Sequence, residues 1–507
     1  MRVAAGSALL LVSGAIGIAG CFFNDLDDCR LNPMLACYEG SGTGGSGGTG
    51  GTTVSPTCIP NQTGDPIEDG CGVFVSASKG KDSNDGETKA APVATLTKAI
   101  EIAKGQPIYI CADAKPLDDV LVVGDNVQIF GGLDCGSWKY VAGTKTKWTA
   151  GADEIPLHVK PNGSVALADV ALEAASATKD GGSSIAILAE GTASLDLRRC
   201  DVIAGDGKAG PTPNAPSGTG TPGMPGNLGQ AGCVDMTTKV GADGGQLACD
   251  GTDVSGGAGG NGTKTAAGGA GSPGVPLAPD TGKAGLGQGV AMSCDVDGKG
   301  GDGVEGLPGD PGAGATGNGV LSSSGYTGEN GKDGASAGTP GQGGGGGGGA
   351  EKCSNNNAGP SAGGGGSGGC GGATGKGGGP GGASIGIVSL GAALTLSDVT
   401  ITTHFGGNGG DGGPGQPGGD GGAGGTPGSN NGDATGAACA GGKGGKGGTG
   451  GRGGGGLGGP SIGIAFTGEA PDTKGATIAP GSAGDGGQGD GGNGAGAKGI
   501  TAPTQAF

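Results

Sequence analysis

Apolar and polar residues alternate most clearly over residues 383–405, ASIGIVSLGAALTLSDVTITTHF. Two short strands are predicted there. One is centred on Ile385 and Ile387, the other runs through Leu394, Leu396, Val399 and Ile401, and Gly391 is the hinge between them. A strand period of two puts Ile385 and Ile387 on one face and Gly386 on the other. The same spacing recurs at Val165, Leu167, Val170 and Leu172, and again at Leu195, Leu197, Cys200 and Val202. Matching short strands precede these at 157–159, 185–187 and 385–387, with a fourth at 462–464. A glycine stands at one common offset in all four: Gly163, Gly191, Gly391 and Gly468. Units that cannot bury their own apolar face bury it by stacking, so the pattern predicts a solenoid.

Residues 73–148 read differently. A strand at 73–75 is followed by a turn-rich loop, and then Leu96, Ala99, Ile100 and Ala103 fall at helical spacing. The helix is expected to start near Thr95 and stop at Gly105, with a strand at 108–110. An amphipathic helix there can plug the open apolar end of the stack.

Composition then changes the picture. The chain has 137 glycines and 29 prolines in 507 residues, with 3% aromatics, so one large conventional core is excluded. Three glycine tracts leave just after a coil's last strand, from Gly205, Gly406 and Pro480. Insertions at one recurring position emerge on one face of a solenoid. Over residues 406–426 glycine holds every third place, and 441–452 reads GGK-GGK-GGT-GGR. Such runs resemble the glycine-rich PGRS repeats of mycobacterial surface proteins. A period of three suits an extended helix of three residues per turn, which bundling could pair through the backbone. Plain disorder is the other reading, because these segments bury little apolar surface against chain entropy. Both stay open for 406–459, and disorder is expected for much of 205–382. In the bundled case an acidic edge at Asp411 and Asp420 would meet a basic edge at Lys443, Lys446 and Arg452 after a reversal near Asn430 and Asn431. The triplets GVE-GLP-GDP at 303–311 look collagen-like but are too few for a triple helix.

The N-terminus carries Arg2, an apolar run over 3–19 and the ending Ile18-Ala19-Gly20-Cys21. That is the form of an export signal, too short for a convincing membrane span. Its ending resembles the lipobox of bacterial lipoproteins, which implies that Cys21 is the lipidated first residue. Residues 21–72 then read as a Cys- and Gly-rich tether. The 14 cysteines suggest disulfides and an oxidising compartment. Local bridges are expected between Cys233 and Cys249 and between Cys353 and Cys370. With Cys21 lipidated, thirteen cysteines remain, an odd number, so at least one is left unpaired within the chain.

The strings SKGKDSNDG at 78–86, PVATLTKAI at 92–100, IYI at 108–110 and VQIFGG at 127–132 resemble the entry of right-handed parallel β-helix proteins of the pectate-lyase-like superfamily. They are similar in particular to exported β-helix lipoproteins of myxobacterial type. The resemblance covers about 73–202, with single coils returning near 383–405 and 460–478. It implies a fold and no particular activity.

Catalytic chemistry finds little support. Glycosidic cleavage needs two carboxylates at a set separation, and Asp118–Asp119 is the only acidic doublet in the region, in a turn before Val120. Arg198 and Arg199 have no like residues in the other coils. The histidines are His158, in mid-strand, and His404, trailing into a glycine tract. Asp82, Asn84 and Asp85 suggest calcium, but Gly86 comes one place early for an EF-hand and the terminal acid is absent, so a tight turn is favoured. The net charge of −18 argues against nucleic acid. No cofactor and no metal site is expected.

The reading is an all-β right-handed parallel β-helix with an N-terminal capping helix, interrupted by long glycine-rich segments, polyglycine-II-like or disordered. Its parts are a lipoprotein signal (1–20), the tether (21–72), cap and coils (73–204), a glycine-rich insertion (205–382), one coil (383–405), a GGx insertion (406–459), and a last coil and tail (460–507). The expected role is structural, adhesive or display, at the cell surface or outer membrane. The membrane is reached through the Cys21 lipid, and a surface polysaccharide or other surface protein is the partner. A carbohydrate-active β-helix enzyme and a calcium-dependent matrix protein are the alternatives.

Overall fold

A computed structural model describes residues 58–60, 64–265, 267–288, 294, 297–433, 436–492 and 494–507. Its frame is three six-stranded parallel sheets. The first contains Val73–Val75, Ile108–Cys111, Asn126–Leu133, Ser164–Ala168, Ser194–Arg198 and Ala393–Ser397. The second contains Leu121–Val123, Leu157–Val159, Ser184–Glu190, Ser384–Leu390, Ser461–Thr467 and Thr501–Ala506. The third contains Leu117–Asp118, Thr146–Ala150, Val170–Ala174, Asp201–Ala204, Val399–Thr403 and Ala476–Ala479. From residue 157 the chain visits second, first and third sheets in turn, an order compatible with a parallel β-helix. The last round lacks a first-sheet strand.

The repeated apolar positions are stacked in register. Leu195 lies between Val165 and Leu394, Leu197 between Leu167 and Leu396, and Val202 between Leu172 and Ile401. These residues form one core with Val73, Val75, Ile108, Ile129 and Trp148. The helix Leu96–Ala103 is capped by Thr95, which accepts from Lys98 N–H, and buries Leu96, Ala99 and Ala103 against that core. Between the first and third sheets the chain turns at single left-handed residues, Asp169, Arg199 and Asp398, at φ 56°, 49° and 54°. Aspartate tolerates this conformation. Arg199 is held there by two 2.9 Å bonds to Asp169.

Two sequence expectations need correction. Gly191, Gly391 and Gly468 do share a left-handed corner. Glu190 lies thirty residues beyond Lys160 in the ladder, however, and the left-handed residue of the earlier coil is Asn162, at φ 68°, so Gly163 is not the equivalent glycine. Ile385 and Ile387 do not share a face either. Ile387 joins the interior with Ile187 and Ile464, whereas Ile385 packs on the outer side with Ile185, Val388, Ile462 and Tyr326. Gly386 also points inward, where a Cβ would come within 2.5 Å of Ile401 Cγ2. The strand therefore slips its period between 386 and 387.

The glycine tracts are ordered wherever they are described, which corrects the expectation of disorder over much of 205–382. The chain leaves the third sheet after Ala204, Thr403 and Ala479 and returns into the second at Ser384, Ser461 and Thr501. Extended runs between these points are joined by backbone hydrogen bonds that repeat every third residue. In one antiparallel pair, Gly444, Gly447 and Gly450 donate to Gly422, Gly419 and Gln416. Along the same run, Gly445, Gly448 and Gly451 donate to Gln342, Thr339 and Ser336. A backbone whose donors recur in direction every third residue makes three residues per turn. The reversal between the two GGx runs falls at Asn431 and Gly432, with Asp433 N–H bonded to Asn430 at 3.0 Å.

Candidate functional site

Glycine content follows the number of neighbouring runs. Residues 343–349 are all glycine and hydrogen bond to six other runs, near residues 269–275, 257–260, 285–288, 298–301, 363–366 and 439–442. There is no free side. A Cβ on Gly345, Gly346 or Gly348 would come within 1.9, 1.9 or 1.7 Å of a carbonyl oxygen. Residues 441–452 bond to four runs and keep two glycines per triplet, the third place being Lys443, Lys446, Thr449 or Arg452. Residues 303–312 bond to two runs and keep one glycine per triplet. Where the runs 481–488 and 494–499 add two more neighbours to residues 453–459, the sequence changes from GGx to GGGGLGG.

At the third places of the GGx and one-glycine runs side chains stand outward in rows, while a few, such as Ser361, Ser367, Gln342 and Leu457, are buried between runs. Lys446 meets Asp420 at 3.5 Å, and Arg452 Nε donates to the Gly412 carbonyl at 2.9 Å. The acidic and basic edges thus meet at one pair, while Arg452 bonds backbone instead of Asp411. Met224, Leu228, Val304 and Leu307 are exposed by half or more on the one-glycine runs. Prolines stand beside them at 222, 225, 308 and 311, where a missing N–H blunts an edge against further pairing.

Disulfides tie the bundle together. The four cysteines expected in local bridges are bonded as Cys233–Cys353 and Cys249–Cys370, not as Cys233–Cys249 and Cys353–Cys370. The runs they sit on are neighbours in space: Cys233 N–H bonds Ala358, and Gly245 N–H bonds Gly365. Cys58–Cys71, Cys111–Cys135 and Cys294–Cys439 complete the described set. Cys200 is unpaired and buried, and burial pushes its thiol up to about 12, leaving it inert. Cys21, Cys29 and Cys37 lie outside the described residues.

The chain matches no known protein family, no curated protein and no solved structure. Asp119 accepts from Leu96 N–H at 3.0 Å and from Thr97 at the helix start, with burial pushing its pKa up. Asp118 is exposed on the outer side of the third sheet. Asp82 accepts from Ala94 and Thr95 N–H and from the Thr95 hydroxyl, and Asn84 donates to Pro92, so the DSNDG segment ties a loop to the helix. Arg198 pairs with Asp196, and Arg199 with Asp169, which also accepts from Tyr140.

His158 bonds Glu190, and Lys160 holds the same oxygen at 2.9 Å and draws its pKa down. His404 is exposed and donates its N–H to Ser384. Two sets of possible metal ligands, around Asp113 and Asp433, each include two cysteines already joined as a disulfide, leaving one carboxylate apiece. Apart from the exposed Asp118 and the His404 ring, each of these groups has a structural partner, and they do not converge on one cleft. The bundle surface is what remains as a candidate site. Sequence reasoning missed its edge rows at 221–231 and 303–311, although glycine count per triplet marks them.

Proposed function

We propose that this chain is an exported, lipid-anchored cell-surface protein whose work is structural and adhesive display, without catalysis. The three sheets are taken as coils of a right-handed parallel β-helix, and the glycine runs as a polyglycine-II-like bundle standing on one of its corners. The observation that carries the reading is the bundle's rows of outward side chains at every third place, fixed by backbone bonding and disulfides. Such a body offers a regular, rigid surface, with no enclosed reaction site among the described residues. The export signal and Cys21 would place it on the envelope, and the five disulfides suit an oxidising exterior. Its partner is a surface polysaccharide or another cell-surface protein.

The full-length protein in detergent, applied to an array of glycans and surface polymers, tests this. Saturable binding that falls when Leu307, Val304, Met224 and Leu228 are changed together to Ser supports it. Turnover of an arrayed polymer, or binding indifferent to those changes, overturns it.

A further inference from the structure

Residues 482–488 show how an extended run seats on the groove between the runs 406–426 and 441–459. Gly406, Gly409 and Gly412 donate to Ser482, Asp485 and Gln488 at 2.9, 2.8 and 2.8 Å, while Gly484 and Gly487 donate to Gly459 and Gly456 at 2.9 Å. Asn408 and Asp411 side chains accept from the N–H groups of Asp485 and Gln488 at 2.9 and 2.6 Å. The seated run then ends, because the chain turns at Gly491, at φ 74°, and comes back over 494–499. The groove goes on. Beyond the turn stand the N–H groups of Gly415, Gly418, Gly421 and Gly424, facing the carbonyls of Gly453, Gly450, Gly447, Gly444 and Gly441. They repeat the same arrangement with no partner among the described residues. The adjacent lane, filled by 494–499 beside Gly455 and Gly458, closes beyond the turn, where Arg452, Thr449 and Lys446 replace those glycines. Prolines at 222, 225, 308 and 311 blunt the flanking runs, whereas all four donors of this groove are glycine N–H groups. What crosses it is solvated side chains: Lys446 reaching Asp420, at 49% and 83% side-chain exposure, and Arg452 reaching the Gly412 carbonyl.

We propose that this groove is a docking lane for one more extended glycine run, supplied by residues 44–52 of a second copy. Two neighbours demand one glycine per triplet, as in 303–312, and residues 44–52, outside the described residues, read GGS-GGT-GGT. Nine such residues cover the span from Gly415 to Gly424, about 28 Å at three residues per turn. The chain's own segment cannot reach. Residues 53–57 extend about 20 Å at most, and Cys58 is held by the Tyr109 hydroxyl on the first sheet. Gly415 stands about 28 Å beyond Gly406, on a run that leaves from the third sheet. Once seated, the visiting run accepts from the four glycines and donates to the facing carbonyls. It also offers an N–H to Asp420, as Gln488 does to Asp411, once Lys446 releases that carboxylate. The inference does not rest on the display role, since it concerns contact between copies, whatever the outer rows bind.

Sedimentation velocity and residue-resolved amide exchange on the full-length protein in detergent test it. The control is a variant lacking residues 44–52, which keeps Cys21 and hence the same micelle. The wild type self-associates, and exchange at Gly415, Gly418, Gly421 and Gly424 slows in proportion to the associated fraction. The deletion leaves a monomer in which these four amides stay fast. Lys446→Ala frees Asp420 and tightens association by up to about fivefold, whereas Asp420→Ala removes an acceptor and weakens it about tenfold. The peptide GGSGGTGGT competes with association, and GGGSTGGGT, of equal composition without glycine at every third place, does not. Protection of the four amides by the free peptide in a wild type that stays monomeric overturns the second copy as occupant. Association that survives the deletion, or exchange at the four glycines that ignores protein concentration, overturns the lane.

Discussion

Gly445→Ala and Lys446→Ala alter adjacent residues of one GGK triplet, and the bundle predicts opposite outcomes for them. Gly445 donates to Gln342 at 2.8 Å and accepts from Gly369 at 2.9 Å, and a Cβ there would come within 1.9 Å of the Val304 oxygen. Real side chains keep about 3 Å from such an atom, so run 303–312 must retreat by about 1 Å. That run is held by Gly303, Gly306 and Gly309 at 2.8, 2.7 and 2.8 Å. Losing two of these bonds costs about 2 kcal/mol, and overpacking adds about 1–3 kcal/mol. The expected loss is about 3–5 kcal/mol. Lys446 stands outward in one exposed ion pair, worth about 0–1 kcal/mol. Urea unfolding followed by a probe on the bundle measures both. Equal midpoints for the two variants would refute the packing argument.

Ile387→Ala should cost about 2–5 kcal/mol, whereas Leu396→Ala, half-buried on the last strand of its sheet, should cost about 1 kcal/mol; equal midpoint shifts in urea unfolding would contradict their placement. Gly386→Ser should also destabilise, because its Cβ meets Ile401, and an unchanged midpoint would place that position outside the core. Replacing Cys249 and Cys370 by Ser opens, with Cys233–Cys353 still closed, a loop of about 33 residues, worth about 4 kcal/mol in the chain-entropy model; unaltered thermal unfolding would count against the bridge. Glu190, whose pKa is held down first by its bond to Lys160, contributes stability at pH above the ordinary glutamate value of 4.5, and this is lost as pH falls through its lower folded value. Lys160→Met should flatten that acid limb of a stability–pH curve, and an unchanged limb would rule the pair out as its cause. Cys21→Ser should move the protein from the detergent to the aqueous phase, and equal partition would remove the anchor.

Much of the strand stack was legible because Val165, Leu167, Leu195 and Leu197 obey a period of two and a constant spacing. The helix was legible from Leu96, Ala99 and Ala103. Gly386 was misread because periodicity assumes an unbroken pleat, and the strand slips between 386 and 387. The disulfides were misread because closeness in sequence stood in for closeness in space, whereas Cys370 lies on a run flanking the segment that leads to Cys249. Order in the glycine tracts was hidden from any hydrophobic measure, since backbone bonding holds them and almost no apolar side chain does. Their sequence nonetheless records the packing: GGGGGGG at 343–349 needs six neighbours, GGK has four, and GLP has two.

Amide hydrogen exchange resolved to single residues over 441–452 bears most directly on the ordered bundle. The account predicts slow exchange at Gly444, Gly445, Gly447, Gly448, Gly450 and Gly451, each bonded to a neighbouring run. It predicts fast exchange at Lys446, Thr449 and Arg452, whose N–H groups have no partner among the described residues. From Gly444 onward, protection in a two-slow, one-fast rhythm is the expected record, whereas Lys443 N–H is bonded to Asp302. Uniformly fast exchange along the run would contradict it.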